Sequence, residues 1–248
     1  MNDMSTDSDS LTAALAEAMP IAPSSLDLRG DSGGYGLVIV DEVNGFAAIG
    51  GGNLAPPTPN DQVATMIAET DRIARAFSRR SMPILAFLDT HEPGKPEPPY
   101  PPHCEVGTGE EELVAELKWL EHDTNATLVR KDCINGYIGA TRPDGSNAVV
   151  DWIKANGISN LLVVGICTDI CVMDFVLTML SARNHGLAAE IGDIMVYAQG
   201  CATYDLPRPV AEELGLAKVA SHPQMPTHHM GLYFMASRGA GLVDRVEI

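Results

Sequence analysis

From Leu37 onward the chain alternates between short apolar, β-branched runs and longer stretches of helical periodicity, with polar or glycine-rich loops between them. The apolar runs are LVIVD at 37–41, ILAFLD at 84–89, ATLVRK at 126–131, LLVVG at 161–165 and IMVYA at 194–198. Runs of this kind predict strands covered on both faces, as in parallel sheets. The spacing between them predicts helices near 60–80, 110–119, 146–156, 170–184 and 209–214. Repeated strand, helix, strand order gives an α/β class. We expect a doubly wound, mostly parallel sheet with helices on both faces, a three-layer sandwich of Rossmann type.

Residues 1–36 read as an N-terminal extension and 37–248 as one domain. Within the extension, Leu11, Leu15, Ala18 and Met19 recur at helical spacing, so 10–19 is expected to dock an apolar face. The stretch 90–109 breaks the alternation with a run of prolines around two histidines. A loop of that length inside a compact domain is usually functional or disordered, and the histidines favour function.

Composition narrows the partners. With 248 residues, 45% of them hydrophobic, the chain can bury one sizeable core. A formal charge of −17 argues against nucleic acid and anionic membranes as partners and leaves a small neutral molecule compatible. Five cysteines, an odd number without paired spacing, fit neither a disulfide framework nor a structural zinc site, and point to a reducing compartment. The acidic, polar start and the lack of a long apolar run predict a cytoplasmic or other soluble intracellular protein.

Ligands of open α/β sheets bind beyond the carboxyl ends of the strands. Asp41 ends the first run, Asp89 the second and Lys131 the third, while Cys171 follows the fourth after a short turn. Each alone has a structural explanation as a turn former or surface charge. An acid, an amine and a thiol at successive strand ends together predict an activated nucleophile. If Thr168 caps the next helix, Cys171 lies in its first turn, where the dipole favours a thiolate. Lys131 would add charge nearby, and Asp41 could accept the thiol proton and return it to leaving ammonia. Cys167 ranks below Cys171 as nucleophile and would lend its backbone N–H to the site. Cys104, Cys133 and Cys201 read as small hydrophobes.

In the proline-rich loop, Asp89 and His91 stand two residues apart, with His103 further on. A carboxylate and two imidazoles suit a divalent transition metal, and three ligands leave coordination positions for water or substrate. Glu97 is a further ligand candidate, with Glu92 behind it. His222, His228 and His229 read as structural, since none ends a predicted strand.

The segments VDEVNGF around Asp41, DTH at Asp89, YPPHC at His103, RKDCING around Lys131 and VGICTDICV at Cys171 resemble the plant-type nicotinamidase branch of the isochorismatase-like cysteine hydrolases. SARNHG from Ser181 and GCATYDLP from Gly200 extend the resemblance. It implies a triad of Asp41, Lys131 and Cys171, and a cis peptide between Ile166 and Cys167. It also implies an oxyanion hole from the N–H groups of Cys167 and Cys171. Phe46 and Tyr100 would sandwich a pyridine ring, with Ile166 also in the substrate site. One metal ion, zinc, iron or manganese, would anchor the ring nitrogen directly or through water. The implied reaction is hydrolysis of nicotinamide to nicotinate and ammonia through a Cys171 thioester, in NAD salvage, by a homo-oligomer. Another amidase or carbamoyl hydrolase of the superfamily is the alternative, and a non-catalytic binding module a more distant one.

Overall fold

The computed structural model describes residues 4–30, 33–95 and 97–248. In chain order, α1 (Met4–Ala18) and β1 (Ser24–Asp27) precede β2 (Tyr35–Val40), the one-turn α2 (Asn44–Ala47), α3 (Asp61–Arg79) and β3 (Ile84–Asp89). A 3-10 helix (Ala115–His122), β4 (Ala126–Lys131), the short α4 (Gly136–Gly139), α5 (Ala148–Ala155) and β5 (Asn160–Ile166) follow. The chain continues through a π-helical turn (Thr168–Val172), α6 (Met173–His185), β6 (Asp193–Ala202), α7 (Arg208–Glu213), α8 (Gln224–Ala236) and β7 (Gly241–Glu247).

The strands form one sheet in the order β1-β7-β6-β5-β2-β3-β4, and every pairing is parallel. Successive residues of the central strands enter opposite cores, because side chains alternate across a pleated strand. Val38, Val40, Leu85, Phe87, Leu161 and Val163 join the core under α5, α6 and α8. Leu37, Ile39, Ile84, Ala86, Leu162 and Val164 join the core under α3 and the 3-10 helix. Two buried faces explain why these strands read as unbroken apolar runs.

The five predicted strands are consecutive in the sheet, in the observed order β6-β5-β2-β3-β4, and run out to the β4 edge. β1 and β7 have no counterpart in the sequence reading. Both lie at one edge, where β1 is four largely exposed residues and the apolar pattern of β7 is broken by Asp244 and Arg245. The helix expected at 110–119 is instead the 3-10 helix starting at Ala115. The chain before it is held in turns, with Asn44 and Gly45 donating to the carbonyls of Glu112 and Glu110. α8 was not predicted either.

In the extension, β1 joins the sheet and α1 packs on α8. Of the four residues expected to form its docking face, Leu15 and Met19 are half-buried while Leu11 and Ala18 are exposed. Among the described residues, no helix is long and apolar enough to cross a membrane.

Candidate active site

β2, β3, β4 and β5 are neighbours in the sheet, so their carboxyl ends bring Asp41, Asp89, Lys131 and the π-helical turn together. Asp41 leaves the strand with φ of 54°, a left-handed conformation that costs a non-glycine residue about 1 kcal/mol or more. Lys131 Nζ lies 2.7 Å from Asp41 Oδ2 and 2.8 Å from Asp89 Oδ1, and donates to the Cys133 carbonyl at 2.9 Å. All three charged side chains are sealed from solvent. Neither Asp41 oxygen accepts a well-directed hydrogen bond from a described residue, despite the close ammonium. That carboxylate has room for a proton.

Charge in the cluster is set by burial and by Lys131. Burial raises Asp41 and Lys131 draws it back, leaving it at about 6. Burial pushes the Cys171 thiol well above its ordinary value; Lys131 opposes the shift and Asp41 adds to it. Burial alone would depress the Lys131 ammonium, but Asp41, Cys171 and Asp89 hold it well above the usual lysine range. Burial thus works against a negative sulfur at Cys171, while the surrounding carboxylates favour an ammonium at Lys131. The expected Thr168 cap is corrected here. Thr168 does not cap: its hydroxyl lies 2.8 Å from His228 Nδ1, Cys167 occupies the cap position, and Cys171 sits inside a π-helical turn. A cis peptide joins Ile166 to Cys167.

Asp89 faces two ways. Its Oδ1 meets Lys131, while Oδ2 lies 2.9 Å from His91 Nε2 and 3.2 Å from His103 Nε2. These three residues, all buried, are the one group among the described residues whose ligand atoms converge closely enough to hold a metal ion. Glu97 splits in the same manner: Oε1 accepts the Ile134 N–H at 2.9 Å, and Oε2 stands 3.7 and 3.6 Å from the two imidazoles. Glu92 is exposed. The Pro101 carbonyl holds His103 Nδ1 at 2.7 Å, which leaves Nε2 free for an ion. Burial lowers His103, yet Asp89, Glu97 and Pro101 raise it to about 10, so the cluster draws positive charge to this point.

A cavity opens between the thiol and this group. Phe46, Tyr100 and His103 line one part, with ring centroids 5.5 Å apart for Phe46 and His103 and 6.1 Å apart for Tyr100 and His103. Cys167, Cys171 and Ile170 line another. Ile166 was expected here, but its side chain is 1% exposed and packs in the core, because the alternation of β5 turns it away; Ile134 and Ile170 supply the aliphatic walls.

The isochorismatase domain family matches residues 35–223, more than half of the chain. The chain belongs to the isochorismatase family. Nicotinamidase 1 of Arabidopsis thaliana is 55% identical over 212 residues, covering 86% of either chain. Among solved structures, the nicotinamidase of Bacillus subtilis superposes with a TM-score of 0.62 at 21% identity, covering 85% of this chain and 99% of that one. The pyrazinamidase of Pyrococcus horikoshii, solved in complex with zinc, gives 0.59 at 19% identity, with 85% and 98% covered. The two structures share the parallel-sheet fold.

Within this isochorismatase domain, four residues lining the cavity escaped the sequence reading: Leu54, Ile134, Ile170 and Tyr204. Tyr204 lines it from the loop after β6 and stacks on His222, with centroids 3.8 Å apart and planes 13° from parallel. The local sequence places it in no strand or helix, so only its neighbours identify it. Cys104 and Cys201 sit in the cores as small hydrophobes, and Cys133 is half-buried. His229 Nε2 meets the Met19 carbonyl at 2.9 Å, which ties α8 to the N-terminal extension.

Proposed function

We propose that this isochorismatase-family enzyme hydrolyses nicotinamide to nicotinate and ammonia, with Cys171 as nucleophile, as part of NAD salvage. One observation carries the reading. In a chain 55% identical to Nicotinamidase 1 of Arabidopsis thaliana, one aromatic-walled cavity is lined by the Cys171 thiol and by Asp89 and His103 of the Asp-His-His group, with the buried Lys131 between Asp89 and Asp41.

The Asp41 carboxylate takes the proton from the Cys171 thiol, and the sulfur attacks the carboxamide carbon. The N–H groups of Cys167 and Cys171 receive the developing oxyanion. Asp41 then gives its proton to the amide nitrogen, the C–N bond breaks, and ammonia leaves a Cys171 thioester. Water adds to that thioester, its proton passing to Asp41, and collapse releases nicotinate while the thiol recovers its hydrogen. Lys131 stays an ammonium throughout, offsetting negative charge as it moves between Asp41 and the sulfur. Asp89, His91 and His103 would hold a divalent transition metal, zinc, iron or manganese, with Glu97 as a direct or water-mediated neighbour. Such an ion supplies a Lewis-acid contact for the pyridine nitrogen and so orients the ring. Phe46 and Tyr100 would enclose the flat ring.

The test is ammonia release by the purified protein from nicotinamide, aliphatic amides and carbamates. Nicotinamide should be the preferred substrate by a wide margin. Faster turnover of a carbamate or an aliphatic amide would instead assign the chain to another branch of the superfamily.

A further inference from the structure

Resting on the nicotinamidase reading, we infer that Tyr204 sets how large an aromatic carboxamide the cavity admits, with His222 as the residue that positions it. Tyr204 lines the same cavity as the nucleophile Cys171, and its N–H sits against the sulfur of the neighbouring Cys167. Its ring is half-buried, and burial pushes its phenol up. A tyrosine on a loop would normally sample several rotamers, and each frozen side-chain torsion has an entropic cost. Here the ring is held from behind.

His222 stacks on the back of that ring and is itself fixed at both nitrogens. Its Nε2 lies 2.7 Å from Asp169 Oδ2, and its Nδ1 lies 2.9 Å from the carbonyl of Tyr204. Asp169 is fixed in turn, since its Oδ1 accepts from the Thr203 hydroxyl at 2.7 Å. Gly231 of α8 packs so closely that an added Cβ would fall 2.9 Å from the Asp169 Cα. Asp169 belongs to the same π-helical turn as Cys171. The turn that presents the sulfur therefore also aims the ring that closes the substrate space. A stacked aromatic in this position is a fixed wall of the cavity, and its removal should make room for a second fused ring.

The experiment compares nicotinamide with quinoline-3-carboxamide, which carries the same carboxamide and ring nitrogen on a fused bicycle. Tyr204→Ala should raise KM for nicotinamide about tenfold with kcat within about threefold, and raise the kcat/KM ratio of bicycle over nicotinamide at least about tenfold. His222→Gln keeps an amide partner for Asp169 but loses the stack, and should move the ratio in the same direction by a smaller factor. A gain on the bicycle cannot come from misfolding. An unchanged ratio in Tyr204→Ala, with wild-type protein active on nicotinamide, overturns the role of Tyr204. An unchanged ratio in His222→Gln removes His222 as its positioner. Wild-type protein inactive on nicotinamide would instead reject the functional reading beneath both.

Discussion

Burial works against a negative sulfur at Cys171, so the Asp41 carboxylate, acting as a base, has the first step in the proposed mechanism. Replacing Cys171 with Ala should lower kcat by a factor on the order of 10⁴ or more, because no other group forms the acyl intermediate. Cys167→Ala should keep most of the activity, since that residue is needed for its backbone N–H; steady-state ammonia release checks both. A reversed outcome would move the nucleophile to Cys167. The pH profile follows from Asp41 at about 6. The carboxylate must be unprotonated to accept, so kcat/KM should rise with pH through about 6 and fall on the acid side. Lys131 lowers both Asp41 and the thiol. Lys131→Met should then shift the acid limb upward and raise the pH needed for iodoacetamide to alkylate Cys171 by about one unit or more. An unchanged alkylation profile with lost turnover would make Lys131 a positioning residue only.

Among the elements, the 90–109 loop carries the Asp-His-His group, together with the end of β3. His91 is tied to it by a bridge to Glu105, with the His91 N–H on the Cys104 carbonyl and the Val106 N–H on the His91 carbonyl. These backbone bonds do not depend on an ion. Treatment with a chelator should therefore raise KM for nicotinamide far more than it lowers the melting temperature, and Asp89→Ala should impair turnover further because Lys131 also loses a partner. Metal analysis and a melting curve on the same samples test this; active protein free of divalent metal would remove the ion from the mechanism.

For the molecule as a whole, the question is how far the N-terminal extension belongs to the body. β1 adds one short strand, whereas α1 packs on α8, Leu15 and the following Met19 are half-buried, and His229 of α8 meets the Met19 carbonyl. Two half-buried apolar side chains contribute on the order of 1–2 kcal/mol. Deleting residues 1–19 should lower the melting temperature by a few degrees, with about 2–4 °C expected per kcal/mol at this chain length. KM for nicotinamide should stay within about twofold. A large rise in KM would mean that α1 acts through α8, whose His228 touches Thr168 and whose Gly231 packs on Asp169.

What the sequence determined by itself was the run of five neighbouring strands from β6 to β4 and the residues at their ends. Burial on both faces writes an unbroken apolar run into a strand, and a polar residue closing such a run is visible without coordinates, as at Asp41 and Asp89. The tertiary structure decided everything that depends on distant neighbours. β1 and β7 pair at an edge where only part of the strand is covered, so no run marks them. Ile166 turned into the core because the pleat of β5 fixes its direction. At Cys171 burial pushes the thiol up more than Lys131 draws it down, a balance set by packing and not by the helix start alone. Tyr204, His222 and Asp169 meet from three separate segments, and no local pattern records that meeting.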